Sequence, residues 1–196
     1  MIDTALIIVD MQNAFCTKNG SFWKRGRKVL NFKKVLSTNK KLISFARRKK
    51  WLVIFTKLVF TKDYSDGGLL VKRNSKIAEL GAFQEGSADS EITKSLKPEK
   101  NEYVITKKRH DPFIGTNLLQ ILRENNIRRV IVSGVVTNIC VESTIRSAFD
   151  RDLETILVKD GTSASSHKLY KSSLETINKS FGDVMSLEEL FLKFEN

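Results

Sequence analysis

Six short, near-continuous apolar runs recur along the chain: TALIIVD (4–10), WLVIFT (51–56), EYVITK (102–107), RVIVSG (129–134), ETILVK (154–159) and a briefer DVMS (183–186). Runs of this kind suit strands that are covered on both faces, as in a parallel sheet. Helical spacing alternates with them. Over 31–48, Phe32, Val35, Leu36, Ile43 and Ala46 fall on one stripe. Leu118, Leu119 and Leu122 do the same over 115–126, and Val141, Ile145, Ala148 and Phe149 over 139–150. Leu169, Leu174 and Ile177 mark a further helix over 166–180, and 187–194 a short terminal one. Strands alternating with helices predict an α/β fold with a parallel sheet between helical layers. No break in composition divides the chain, so residues 1–196 are read as a single domain. The longest irregular stretch, 57–86, contains SDGG. In a compact α/β domain so long a connection serves as a lid, a pocket wall or a subunit contact.

Composition changes this picture little. Apolar residues make up 41% and charged residues 29%, with two prolines, an ordinary globular balance. No apolar run approaches the roughly 20 residues that cross a bilayer. ALIIVD is too short for a signal core and has no basic segment before it, so a cytoplasmic location without a membrane partner is expected. The two cysteines, Cys16 and Cys140, are then free thiols. The net charge of +12 raises a nucleic-acid reading. The basic clusters, KRGRK at 24–28, RRKK at 47–50 and TKKRH at 106–110, are scattered and accompany no zinc-finger spacing, RNP motif or helix-turn-helix pattern. They read as a solvated lysine-rich surface, and a nucleic-acid partner is disfavoured.

Candidate chemistry lies at the strand ends, because open α/β sheets bind ligands beyond the carboxyl ends of their strands. The first strand closes on Asp10 and the third on Lys107, with Lys108 next. The fourth runs through Gly134 toward Cys140. A carboxylate, an ammonium and a thiol on one sheet edge suit nucleophilic acyl chemistry. Only the thiolate attacks well, and both a neighbouring ammonium and the free N–H groups of a helix start favour it. Asn138 is the candidate N-cap that would put Cys140 in the first helical turn. Asp10 would take the thiol proton and later pass it to the leaving amine.

Three stretches give the chain a family likeness. ALIIVDMQNAFC, VITKKRHDPFIGTNL and VIVSGVVTNICVESTIRSAF resemble, in order and spacing, the motifs of the isochorismatase-like cysteine hydrolase superfamily, and LGAFQEGSADSEI resembles a stretch upstream of the second motif. The resemblance implies a three-layer α/β/α sandwich around a six-stranded, mostly parallel, Rossmann-like sheet. It implies Asp10, Lys107 and Cys140 as catalytic residues and a cis peptide between Val135 and Val136. It also implies an oxyanion hole formed by the N–H groups of Val136 and Cys140, a donor pair of a kind worth roughly 10²–10³ in rate per member. Dimers or tetramers that close the pocket between subunits are common in the family.

The superfamily includes nicotinamidases, N-carbamoylsarcosine amidases, ureidoacrylate and biuret amidohydrolases, and isochorismatases. The metal-dependent nicotinamidases carry histidine ligands after the second strand. Here TKLVFTKDYSDGG offers Asp63 and Asp66 but no imidazole, and the only histidines are His110 and His167. No metal and no cofactor are therefore expected. Isochorismatases of the siderophore type typically lack the nucleophilic cysteine, whereas Cys140 is present. The expectation is a cysteine-dependent amidohydrolase that cleaves the C–N bond of a small amide or carbamoyl (ureido) compound through a thioester. The alternatives are a vinyl-ether hydrolase of the isochorismatase type, or a basic nucleic-acid-binding or scaffold protein on the same fold. Asn13, Phe15, Arg109, His110 and Thr137 are the candidate substrate-binding residues. Arg109 could grip a carboxylate as a fork or equally make an interface ion pair. His110 replaces an aromatic residue that relatives often carry, and Thr137 would shape the nucleophile turn. Cys16 is expected to be packed and inert, and His167 to be a surface residue at a helix start.

Overall fold

The computed structural model describes residues 3–195; Met1, Ile2 and Asn196, the outer bounds of the expected domain, lie outside the described residues. The helices are α1 (Asn13–Cys16), α2 (Ser21–Lys24), α3 (Phe32–Arg48), α4 (Gly68–Lys72), α5 (Lys76–Glu79), α6 (Leu118–Glu124), α7 (Glu142–Phe149), α8 (His167–Ser180) and α9 (Leu187–Glu195). The strands are β1 (Thr4–Val9), β2 (Leu52–Leu58), β3 (Tyr103–Lys107), β4 (Arg129–Val135), β5 (Glu154–Ser163) and β6 (Asp183–Met185). They form one six-stranded sheet in the order β3-β2-β1-β4-β5-β6, with every pairing parallel.

β1 shows why an unbroken apolar run is needed. Its residues point alternately to two cores. Leu6 and Ile8 pack with Val35, Leu42 and Ile43 of α3 and with Leu187 and Leu190 of α9. Ala5, Ile7 and Val9 pack with Leu118, Ile121 and Leu122 of α6 and with Ile145 of α7. A polar residue at any of these positions would face apolar side chains on one side or the other.

Strand order runs outward in two directions from the β1–β4 pair, which makes this pair the switch point of the sheet. A crevice opens there beyond the carboxyl ends of the strands. The register puts Val9 of β1 opposite Thr56 of β2 on one side and Gly134 of β4 on the other. Gly134 has φ +114°, and a Cβ at that position would lie 2.1 Å from the carbonyl oxygen of Val9. Gly134→Ala is therefore expected to cost at least about 2 kcal/mol in urea denaturation and to displace the nucleophile turn. A variant as stable as the parent would contradict this account of the β1–β4 approach.

Several boundaries differ from the sequence expectation. The helix expected over 115–126 begins only at Leu118, because Gly115 (φ +67°) and the bond from the Leu118 N–H to the Thr116 hydroxyl keep the preceding chain in a turn. The stretch 57–86 is not wholly irregular: it folds into the short helices α4 and α5. Residues Thr137–Val141 form one π-helical turn that runs directly into α7. Asn138 lies inside this turn rather than capping it, since the helical bonds already start at the Val136 carbonyl. No helix among the described residues is long and apolar enough to cross a membrane.

Candidate active site

Three elements bring the site together. Asp10 follows β1 in a left-handed conformation (φ +51°), which turns its carboxylate into the crevice. Thr56 in β2 fixes it, accepting nothing from the carboxylate but donating its hydroxyl to Oδ1 at 2.7 Å. The other carboxylate oxygen, Oδ2, lies 2.8 Å from Nζ of Lys107 at the end of β3. Both side chains have no exposed surface. Nζ also donates to the carbonyl oxygens of Arg109 and His110, each at 3.1 Å. Asp10 and two carbonyls thus hold the ammonium in one place.

Burial by itself would lower the Lys107 pKa. The Asp10 carboxylate, helped by Cys140, outweighs that and holds it above the ordinary lysine value. Cys140 lies in the π-helical turn after β4, 4% exposed, and both Asp10 and Lys107 bear on its thiol electrostatically. The sequence suggested a thiolate stabilised by the ammonium and a helix start. In the folded protein burial dominates and pushes the Cys140 thiol up; Lys107 opposes the shift and Asp10 adds to it. The resting sulfur is therefore protonated, with a carboxylate beside it to take the proton.

The peptide between Val135 and Val136 is cis. The Val136 N–H has no acceptor among the described residues, whereas its carbonyl accepts from the N–H groups of Ile139 (3.0 Å) and Val141 (3.4 Å). Sγ of Cys140 and Nδ1 of His110 are 3.5 Å apart. The outer edge of His110 is exposed, but its inner edge has lost water against Cys140. That loss, together with the Lys107 ammonium, lowers the pKa of the ring and keeps it neutral at neutral pH.

A cavity of about 560 Å³ opens over Cys140. Of the expected binding residues, Phe15, Arg109 and His110 line it, as do Val136 and Cys140. The Phe15 ring packs 5.0 Å from Phe22 and 5.3 Å from Phe83, forming an apolar wall. Asn13 and Thr137 are not among the residues that line it. The Asn13 amide instead donates to the Ala88 carbonyl at 2.8 Å, tying α1 to the 88–91 segment. The Thr137 hydroxyl is buried behind the turn, 2.7 Å from that of Thr162 in β5.

Cys16 is buried away from any charged partner, and burial raises its pKa to about 12, so it is an unreactive core thiol. His167 starts α8 on the surface. Asp63 accepts from Thr61 and Ser65, while Asp66 pairs with Lys108 at 2.6 Å, so local bonds engage both carboxylates. Among the described residues no group of three histidine, cysteine, aspartate or glutamate side chains is placed to hold a metal.

Sequence reasoning missed Thr56, whose anchoring role depends only on the β1–β2 register. It also missed Arg25, Arg27 and Arg73, which line the cavity. The first two belong to KRGRK, read as solvated surface. Nothing in that run signals a cavity; only the aromatic SFW just before it hints at an apolar anchor.

Comparison with known proteins agrees with this geometry. Ureidoacrylate amidohydrolase RutB of Agrobacterium fabrum is 28% identical over 200 residues, covering 95% of this chain and 88% of that protein. RutB of Rhizobium rhizogenes is 27% identical, covering 95% and 81%. Among solved structures, a cysteine hydrolase from Pseudomonas syringae pv. phaseolicola superposes with a TM-score of 0.91 at 27% identity, over 99% of this chain and 93% of the other. N-carbamoylsarcosine amidase from Thermoplasma acidophilum superposes with a TM-score of 0.76 at 26% identity, over 95% and 98%. The family model of the Isochorismatase domain matches residues 4–189, nearly the whole of the fold just described, and the chain belongs to that family.

Proposed function

We propose that the protein is a cysteine amidohydrolase that splits the C–N bond of a small amide or ureido compound through a thioester. One observation carries the reading: the Cys140 thiol lines a cavity large enough for a small molecule, and a fully buried carboxylate–ammonium pair bears on it. Relatives named as a ureidoacrylate amidohydrolase and an N-carbamoylsarcosine amidase support it.

In this mechanism Sγ of Cys140 attacks the substrate carbonyl carbon as its proton passes to Asp10. Coupling the two events suits a thiol that burial keeps protonated, because no free thiolate has to accumulate. The carbonyl oxygen becomes an oxyanion against the N–H groups of Val136 and Cys140, and Val136 has a donor to spare. Collapse breaks the C–N bond, and the Asp10 proton leaves on the departing nitrogen as ammonia or an amine. Asp10, again a carboxylate, then takes a proton from water as its oxygen attacks the thioester. The tetrahedral adduct expels the sulfur, Asp10 returns the proton to it, and the acid is released with the thiol and the Asp10 carboxylate restored. Lys107 holds the Asp10 side chain in position and stabilises it whenever it is a carboxylate.

Mass spectrometry of enzyme quenched during turnover of a panel of amides and ureido acids tests the mechanism. The expected result is an acyl adduct on Cys140 together with ammonia release. Pyruvate formed from isochorismate, undiminished by loss of Cys140, would replace this reading with a vinyl-ether hydrolase.

The same reading takes the protein to be a cytoplasmic dimer or tetramer. Two free cysteines suit a reducing compartment. Leu69 of α4 lines the cavity yet is 74% exposed, a position that a second subunit would cover. Sedimentation equilibrium is expected to give more than one copy per particle, and a concentration-independent monomer would contradict it.

A further inference from the structure

The cavity wall carries a charge that the mechanism does not use. Four arginines, Arg25, Arg27, Arg73 and Arg109, line it, and no aspartate or glutamate does. The Asp10 carboxylate beneath Cys140 is already paired with Lys107. Arg25 is wedged between rings, its guanidinium carbon 5.6 Å from the Phe22 centroid and 5.5 Å from that of Phe83. Among the described residues its one side-chain hydrogen bond runs from Nε to the Ser21 carbonyl at 3.3 Å. Asp89 is the acidic group that bears on it, but the Asp89 carboxylate is occupied by the N–H and hydroxyl of Ser21 and the N–H of Phe83. Partial burial first, and then the neighbouring Arg27, lower the pKa of Arg25, and Asp89 opposes them only in part. Arg109 also lines the cavity, held there by Nη1 donating to the carbonyls of Asp66 (3.0 Å) and Lys108 (2.7 Å). Its outer Nη2 lies against Gly68, where a Cβ would come within 2.8 Å.

Guanidiniums gathered in a concave wall without carboxylates, Arg25 and Arg109 half-buried and Arg27 and Arg73 exposed, form a receptor for an anion. Elsewhere Arg47, Arg129 and Arg146 pair with Glu102, Glu154 and Glu142, while other arginines such as Arg48 and Arg151 sit over aromatic rings. What sets the cavity arginines apart is that four converge on one concave wall that no carboxylate lines. We propose that this wall binds a dianionic group, two carboxylates or a phosphate, at the end of the substrate remote from the scissile C–N bond. The apolar wall of Phe15, Phe22 and Phe83 would cover the stretch between the two ends. The inference rests on the amidohydrolase reading and narrows its substrate class to amides or ureido compounds with a doubly charged tail.

Two measurements test it. The first is ammonia release from substrates that share the scissile group and end in a neutral group, one carboxylate, or a dicarboxylate or phosphate. kcat/KM is expected to rise along that series. Arg25→Gln should lower it for the dianionic members by about 10- to 100-fold, mainly through KM. Arg73→Gln, at the exposed mouth, should act in the same direction without risk to the fold. Arg25→Lys, which keeps the charge but loses the fork, should fall between parent and Arg25→Gln. The second measurement is calorimetric binding of succinate and of inorganic phosphate, which needs no turnover. Binding that weakens in Arg25→Gln, with no amide hydrolysed, would sink the amidohydrolase reading and leave the anion site standing. Neutral amides turned over as well as dianionic ones, with no succinate or phosphate bound, would overturn the anion site and leave catalysis intact.

Discussion

Replacing Cys140 with alanine is expected to lower ammonia release by at least about 10⁴-fold while the fold persists. No other side chain in the cavity can take over the attack: Cys16 is a separate core thiol whose pKa burial raises to about 12, and it is absent from the cavity wall. Cys140→Ser should fare little better. It preserves the shape, but a hydroxyl is far harder to deprotonate than even a buried thiol, and Asp10 is a weak base for it. The structural cost of either change should be small, because Val141 and Ile145 on the same turn keep their places in the core. Circular dichroism and urea denaturation would check the fold, and single-turnover assays the chemistry. Activity above about 1% of the parent in Cys140→Ala would rule out covalent catalysis at this sulfur.

The second large effect concerns the Asp10–Lys107 pair and separates stability from catalysis. Both side chains are fully buried, 2.8 Å apart. Removing one partner strands the other charge in a dehydrated interior, at an expected cost of about 3–5 kcal/mol. Lys107→Met and Asp10→Asn should each show that loss in urea denaturation, together with at least about 10²-fold lower turnover. The double variant, with neither charge, should recover much of the stability and none of the activity. If the double variant were as unstable as the singles combined, the pair would not be the interacting unit described here. The pH dependence has a defined sign. Lys107 is held above its unfolded value, so its contribution is complete below the ordinary lysine pKa of about 10.4 and is lost only as pH rises through its higher folded value.

The basic clusters illustrate how the same residue type takes different roles through packing. In RRKK, Arg47 pairs with Glu102 at 2.8 Å, while Arg48 and Lys49 lie over the Phe45 ring. In TKKRH, Lys107 is buried at the site, Lys108 pairs with Asp66 and Arg109 turns to the cavity. In KRGRK, Arg25 and Arg27 join the cavity wall. As charge runs alone all three clusters read as solvated surface; only strand-end position and the family resemblance singled out Lys107 and Arg109. What distinguishes them is which carboxylates, rings and carbonyls lie nearby in space.

Element order, strand positions and the three chemical groups at the strand ends were legible without coordinates. A strand covered on both faces must be apolar throughout, and the switch point of a parallel sheet must gather whatever follows its strands. Asp10, Lys107 and Cys140 therefore followed from local pattern and family resemblance. The folded chain alone decided that the sulfur rests as a thiol, that Asn13 and Thr137 face away from the cavity, and that three unforeseen arginines face into it. Those outcomes depend on dehydration and on distances between segments remote in the chain. Both are set by how the layers pack, and no short stretch of residues encodes either.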